Sequence, residues 1–129
     1  MINYGFYKEL NSSFGETLKR VIGKINGSGF GIVFQLDLKQ KFKNKLGIEF
    51  TNYTILGLSD PSSALRSIQS EQNIGLMLPC NMAVFEKGNK TVVSIIKPTI
   101  AMSMIKNEEL KSISCEVEIR LNQIFEAIE

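Results

Sequence analysis

The chain has 129 residues and a formal net charge of +2, with 43% hydrophobic and 22% charged residues. These values are close to the averages for soluble globular domains, and they exclude a disordered or fibrous chain. The charge is too small to indicate a nucleic acid or another polyanion as a partner. The length predicts a single domain over residues 1–129, large enough to bury an apolar core without disulfides or metals.

Cysteine usage and hydropathy bear on the compartment. Cys80 and Cys115 are the two cysteines, and their spacing fits neither a CxxC motif nor a disulfide-dense secreted domain. No apolar run approaches the roughly 18 to 20 residues that span a bilayer. The first residues lack the basic start and apolar stretch of a secretory leader. We therefore expect reduced thiols, a cytoplasmic location and no membrane partner.

The first half of the chain alternates strand and helix patterns. A short strand is predicted over residues 2–7, and a capping box at Ser13 and Glu16 starts a helix that ends at the glycines of 27–29. The helix has an apolar stripe at 3.6-residue spacing. Its members are Phe14, Leu18, Val21, Ile22 and Ile25.

A second strand, over residues 30–36, is predicted to place four apolar side chains on one face. They are Phe30, Ile32, Phe34 and Leu36. Asp37 then caps a short helix with Leu38, Phe42 and Leu46 at helical spacing. Lysines occupy positions 39, 41, 43 and 45 of this helix, and we interpret them as a solvated face rather than as phosphate ligands.

The second half begins with a strand over residues 53–58. Asp60 and Pro61 start a helix whose apolar side is predicted to comprise Ala64, Leu65 and Ile68. Strands over 75–86 and 91–96 are joined by a hairpin turn. Asn107 caps a long final helix with an apolar stripe. The stripe consists of Leu110, Ile113, Val117, Leu121, Ile124, Phe125 and Ile128.

The strand predicted over residues 75–86 is interrupted by Pro79, which indicates an edge or a bulge. Strict alternation places one apolar set on one face and a second on the other. The first set is Leu76, Leu78, Cys80, Met82 and Val84, and the second is Met77, Ala83 and Phe85. Because both faces are apolar, each must be covered by something other than water.

The element order is strand, helix, four strands, helix, with short helices in the connections. This order predicts an α+β fold in which the two long helices pack on one face of a largely antiparallel sheet.

Candidate catalytic chemistry is sparse. The chain has no histidine, which removes the commonest general base and the usual zinc and haem ligands. The glycines of 27–31 follow a helix and enter a strand, the reverse of a dinucleotide-binding loop. We predict no catalytic residue, with Cys80 as the one candidate nucleophile, and no metal or cofactor. A buried structural thiol is the preferred interpretation of Cys80.

Several segments together resemble the bacterial and archaeal family known as domain of unknown function 302. They are 13–18, Gly29-Phe30, Asp37, 53–56, Asp60-Pro61 with Ala64, 75–81 and 84–86. The segment Leu78-Pro79-Cys80-Asn81 is the most specific of them. The resemblance runs from about Phe6 to Met104 and implies a fold similar to that of the TATA-binding protein and a homodimer. The resemblance does not imply DNA binding, because a shared fold does not establish a shared function.

Two classes of function follow. The first is a small homodimeric binding or interaction module whose uncovered sheet face contacts a second copy or, alternatively, a small apolar ligand or flat cofactor. Leu78, Pro79, Cys80 and Asn81 are its candidate ligand or interface residues. The second is a thiol-dependent enzyme or redox protein that uses Cys80.

Overall fold

The computed structural model describes residues 2–129 and contains one five-stranded sheet in which every neighbouring pair of strands is antiparallel. The strands are β1 (Gly5–Leu10), β2 (Gly31–Asp37), β3 (Tyr53–Ser59), β4 (Cys80–Lys87) and β5 (Lys90–Ile96). Their order across the sheet is β1-β5-β4-β3-β2, so the first two strands in the chain form the two edges.

Within residues 2–129, five α-helices connect or follow the strands. They are α1 (Phe14–Asn26), α2 (Leu38–Leu46), α3 (Pro61–Ser70), α4 (Pro98–Ala101) and α5 (Glu108–Glu126). A 3₁₀ segment, Gln72–Met77, lies between α3 and β4. The predicted order of strand, helix, four strands and helix, with short helices in the connections, is confirmed, and so is the α+β class.

The main core lies between one face of the sheet and the long helices α1 and α5. The apolar stripe predicted for α5 is buried along its whole length, and Val21 and Ile25 of α1 are fully buried. Both helices pack against side chains from β3, β4 and β5. A small second cluster joins Ile74, Met102 and Leu110 beside the 3₁₀ segment. We call the sheet surface that faces away from α1 and α5 the open face.

Local signals at the helix ends explain where several helices begin. Ser13 Oγ accepts a hydrogen bond from the Glu16 amide at 3.2 Å, and Asn107 Oδ1 accepts one from the Leu110 amide at 3.0 Å. Asp37 caps α2 in the same way. Such caps satisfy amides that have no partner within the helix. These three predicted helix starts are confirmed.

The far end of α5 is held against the edge strand β1. Lys8 Nζ donates to the Phe125 and Ile128 carbonyl oxygens at 2.7 and 2.8 Å. The Phe125 carbonyl lies in the last turn of α5 and the Ile128 carbonyl just after the helix end, where a cation also complements the helix dipole. The contact fixes α5 across the sheet.

The single face predicted for residues 30–36 is wrong. The pairing of β2 with β3 shifts register between Ile32 and Phe34, so that Val33 is an extra residue in the strand. A bulge of this kind reverses the alternation that follows it. Ile32 therefore packs on the helix side, whereas Phe34 and Leu36 fall on the open face.

The strand predicted from Gly75 is also shorter than expected. Residues 72–77 form the 3₁₀ segment, and β4 begins only at Cys80, directly after a cis peptide bond between Leu78 and Pro79. Leu76, predicted to share a face with Cys80, is 88% exposed. From Cys80 onward the alternation is as predicted, because Cys80, Met82 and Val84 are buried against the helices.

Two further details differ from expectation, namely the bounds of the first strand and the buried side of α3. The first strand runs over Gly5–Leu10 rather than residues 2–7. In α3, the predicted apolar side is only partly right: Ala64 is half-buried, but Leu65 and Ile68 are exposed, and Ser63 and Ser67 are buried instead. Each serine hydroxyl has an acceptor, so the small polar side chains can face α5 without an unpaired group.

Candidate functional site

The Leu78-Pro79-Cys80-Asn81 segment crosses from the connection into the sheet, and alternation along β4 sends its last two side chains to opposite faces. Leu78 and Cys80 border a cavity on the helix side. Asn81 is exposed and borders a concavity on the open face. Pro79 lies between them. The segment therefore contributes to two different surfaces rather than to one site.

The cavity beside Cys80 is small and lies between α3, α5 and the sheet. Its volume is about 30 Å³, which is room for one or two water molecules. Cys80 is 8% exposed, and burial raises the pKa of its thiol to about 11. The thiol is therefore neutral near pH 7, and the nucleophilic thiolate is scarce.

Asp60 borders the same cavity, and its carboxylate is held by two partners. Ser63 Oγ and an Arg120 guanidinium nitrogen each donate to Asp60 Oδ2 at 2.6 Å. The hydrogen bond from Ser63 and then the interaction with Arg120 hold the pKa of this carboxyl below its usual range. The Arg120 guanidinium also lies 4.6 Å from the centre of the Phe30 ring. This cluster joins α3 to α5 and leaves Asp60 ionised, so the carboxyl is poorly suited to act as an acid.

The open face contains a larger concavity, of about 360 Å³, which we call the cradle. Its floor is the cross-strand row of Ser94, Ala83 and Ile55, which are small or of moderate size. Tyr53 and Phe85 form one wall, with their rings stacked at a centroid distance of 4.8 Å. The cradle is mostly apolar with a few polar groups, as binding pockets usually are. Its remaining lining comes from β1, β4, β5 and the residues before β1.

A polar cluster lies beside the cradle and shares Tyr7 with its lining. The Tyr7 hydroxyl donates to Glu9 Oε2 at 2.8 Å, and Lys87 Nζ lies 3.3 Å from both the Tyr7 hydroxyl and Glu9 Oε2. The hydrogen bond from Tyr7, followed by that from Lys87, lowers the pKa of Glu9. The pKa of Lys87 is raised by the same contacts. The cluster is solvated, so it contributes orientation more than stability.

A second exposed apolar feature begins where β2 ends. We call residues 38–50 the arm: they comprise α2 and the segment that leads towards β3. No residue of α2 is buried, and Leu46, Ile48 and Phe50 are 63%, 51% and 44% exposed. The Phe42 and Phe50 rings meet edge to face at a centroid distance of 5.2 Å. The arm belongs to neither apolar cluster of the chain.

Of the sequence-predicted site residues only Asn81 lines the cradle, and none lies in the arm. The cradle is assembled from positions such as Tyr7, Tyr53, Ala83 and Ser94, which are far apart in the chain. A signal for the arm was present, since Leu38, Phe42 and Leu46 follow at helical spacing. The lysines between them predicted a solvated side of the helix, and no local signal indicated that the stripe would lie outside the core.

Two properties of the described residues concern metal ions and membranes. Among residues 2–129, no group of three or more His, Cys, Asp or Glu side chains is placed to hold a metal ion. Within the same range, no helix is both long enough and apolar enough to cross a bilayer.

The architecture and surfaces define a small α+β domain with one helix-covered and one open sheet face. Residues 6–128 match the family described as domain of unknown function DUF302, and the chain belongs to that family. A crystal structure described as an uncharacterized conserved protein DUF302 from Bacillus stearothermophilus is similar to it, with a TM-score of 0.90 and 26% identity. The match covers 99% of this chain and all of that one. No curated protein matches the chain significantly.

Proposed function

We propose that the protein is a homodimeric interaction module that covers its open face with a second copy of itself. The observation that carries the proposal is the coexistence of two unpartnered apolar surfaces, the cradle and the arm, on one small chain. Scattered exposed apolar residues need no explanation, but contiguous ones indicate an interface. Phe34 and Leu36 add apolar side chains to the open face on edge strand β2, whose end leads into the arm.

The available area supports a dimer. Five strands about 4.8 Å apart and about 22 Å long give the open face roughly 500 Å². A standard interface buries about 800 Å² per partner. We expect the arm to supply much of the interface area that the open face alone does not provide. Apolar area buried at roughly 25 cal/mol per Å² leaves a favourable margin once the entropy of association is subtracted.

Light scattering on the purified protein tests this proposal over a range from about 1 to 100 µM, the range of many homodimers. We expect the mass of two chains. Ala83→Arg places a charge on the cradle floor and should give the mass of one chain. Ala127→Arg makes the same change at an exposed position after α5 and should leave the dimer intact. A wild-type protein that stays monomeric at 100 µM rejects the proposal.

A small apolar ligand is the second candidate occupant of the open face, and the volume of the cradle favours it. About 360 Å³ lies within the range of small-molecule pockets, and the stacked Tyr53 and Phe85 rings offer a flat apolar wall. The absorbance spectrum and native mass of freshly purified protein test this candidate. A mass equal to that of the bare chain or bare dimer counts against it.

The thiol-dependent alternative receives less support. Cys80 is buried, and the high pKa of its thiol works against a nucleophilic or redox role. Cys115 is exposed and lies on α5, away from the cavity beside Cys80. A catalytic role for Cys80 would require α3 or α5 to move.

Two broader expectations belong with this proposal. The order β1-α1-β2-β3-β4-β5-α5 supports assigning the fold to the TATA-binding-protein type. Two free cysteines support a reducing compartment, and we propose the cytoplasm.

A further inference from the structure

We infer that the cradle of each copy is filled by the arm of the other, so that the dimer exchanges two α2 helices around a two-fold axis. This inference rests on the proposed dimer and specifies how its surfaces meet. It assigns an occupant to the cradle and a role to the arm, neither of which follows from dimerisation alone, because open faces or arms could also pair with themselves.

Much of the apolar surface of the arm is left exposed by the described residues 2–129. Isolated helices shorter than about 12 to 15 residues are marginal in water, and helices in proteins are stabilised mainly by packing of an apolar face. The helix in the arm has nine residues; none is fully buried, although Leu38 and Phe42 are half-buried. Its apolar stripe of Leu38, Phe42 and Leu46 is continued by Ile48 and Phe50. These side chains gain the missing stabilisation only if another surface covers them.

The charges of the arm agree with a docked helix. At 100° per residue, the stripe of Leu38, Phe42 and Leu46 occupies one side of α2, and lysines flank it on both borders. All four lysines, at 39, 41, 43 and 45, are exposed. A helix of this kind can insert its stripe in a groove while its ammonium groups stay in water at the polar rim of the interface.

The cradle is shaped to receive side chains rather than another flat surface. Its floor is low because Ser94 and Ala83 are small, while Tyr53 and Phe85 rise on one side. A second flat sheet laid across it would leave the floor unfilled, and unfilled apolar space is costly. Projecting leucine, isoleucine or phenylalanine side chains fill such a space, as knobs do in holes.

Symmetry makes the exchange reciprocal. The arm leaves the sheet at edge strand β2, and the centre of the cradle lies two to three strand spacings away, about 10 to 14 Å. The arm does not line the cradle of its own chain. If two open faces oppose each other around a two-fold axis, each arm reaches the facing cradle, and the interface contains two identical contacts. Such an interface closes and forms no filament.

Site-specific cross-linking tests the exchange. Every variant carries Cys115→Ser, which removes the exposed thiol, while buried Cys80 is retained. One variant adds Leu46→Cys in the arm, a second adds Asn81→Cys in the cradle, and a third adds Ser62→Cys at an exposed position on α3 as the matched control. Variants are mixed in pairs, with a tag on one member, and treated with a short bismaleimide. Circular dichroism and light scattering establish that each variant is folded and dimeric.

We expect a cross-linked pair of mixed mass from Leu46→Cys with Asn81→Cys, formed at least about tenfold faster than from Leu46→Cys with Ser62→Cys, because bound groups have a high effective concentration. If Leu46→Cys or Asn81→Cys instead cross-links only to itself, arms or cradles pair with their own kind and the inference is wrong, although the dimer stands. If light scattering gives the mass of one chain for every variant, the proposed dimer itself is wrong. An apolar molecule that co-purifies in the cradle also overturns the inference.

Discussion

Burial controls the chemistry of Cys80, and this makes its reactivity predictable. The pKa of the thiol rises from 9.0 to about 11 in the folded protein, which lowers the thiolate fraction about a hundredfold. We expect iodoacetamide at pH 7.5 to modify Cys115 readily and to modify Cys80 about a hundred times more slowly than the same residue in unfolded chains. Peptide mass mapping over time measures both rates.

The unfolded chain in urea provides the control, since both cysteines should then react. Rapid modification of Cys80 in the folded protein would contradict the burial argument. It would also revive the thiol-dependent alternative, because only an accessible thiolate can act as a nucleophile.

The Asp60 cluster predicts a component of acid sensitivity. The folded-state pKa of this carboxyl lies below its ordinary value of 3.8, chiefly because Ser63 donates a hydrogen bond to it and secondly because Arg120 does. As the pH falls, the Asp60 carboxyl therefore takes up its proton at a higher pH in the unfolded chain than in the folded one. The resulting stabilisation is complete above about pH 5 and is lost as the pH drops towards the folded-state pKa. Asp60→Asn should flatten this part of the pH profile.

Urea unfolding at pH 6, 5, 4 and 3 measures the effect as the difference between variant and wild type, since other carboxyls contribute to both. Ser63→Ala removes the principal cause of the shift and should give an intermediate slope. Glu126→Gln changes an exposed carboxyl at the end of α5 and should leave the slope unchanged. Equal slopes for Asp60→Asn and wild type would show that the cluster does not depress this pKa.

At the scale of elements, the bulge in β2 has a counterpart in β3. The bulge turns Phe34 onto the open face, where its ring lies over Gly57, and a Cβ at position 57 would overlap that ring. An aromatic side chain laid over a strand glycine covers backbone that has no side chain of its own. Gly57→Ala should therefore lower the free energy of unfolding by about 1–2 kcal/mol through overpacking.

In a Phe34→Ala background the same substitution should act in the opposite direction. With the ring gone, alanine at 57 loses less conformational entropy on folding than glycine and should add about 0.5 kcal/mol. A double-mutant cycle by urea unfolding, with all four proteins at one concentration, measures the coupling. Equal effects of Gly57→Ala in both backgrounds would show that the ring does not depend on the glycine.

Sequence patterns correctly predicted the elements whose signals lie within one segment of the chain. The last helix combines a capping residue, Asn107, with a regular apolar stripe, and both signals arise within one segment. The bulge at Val33 has no such local cause, because register is settled by pairing with another strand. In α3 the buried serines were missed because their hydroxyls are satisfied locally by Asp60 and the Ser63 carbonyl.

The candidate surfaces were less predictable than the fold. The sequence indicated that both faces of β4 are apolar, and the structure places Ala83 and Phe85 on a face that α1 and α5 do not cover. It could not show that Tyr53 pairs beside Phe85 to make a wall, since these residues meet only through strand pairing. The lysine pattern of α2 likewise carries no information about whether its stripe finds a core.

At the scale of the whole molecule, folding and association should be coupled. In the proposed dimer, the exposed side chains of the arm gain cover that a single chain does not give them. Mass action then makes the thermal midpoint depend on concentration. A hundredfold increase in wild-type concentration stabilises the dimer by about 2.7 kcal/mol, shared between two chains. For a chain of this length we expect the midpoint to rise by about 5 °C.

Ala83→Arg separates this coupling from other effects of concentration. If the charge on the cradle floor prevents association, the midpoint of the variant should be the same at both concentrations and should match or fall below the wild-type value at the lower one. Far-ultraviolet circular dichroism should also show slightly less helix, because the uncovered arm of nine helical residues frays. Differential scanning fluorimetry gives the midpoints. A wild-type midpoint independent of concentration would mean that each chain is stable alone. A second copy of the chain would then not be what covers the open face.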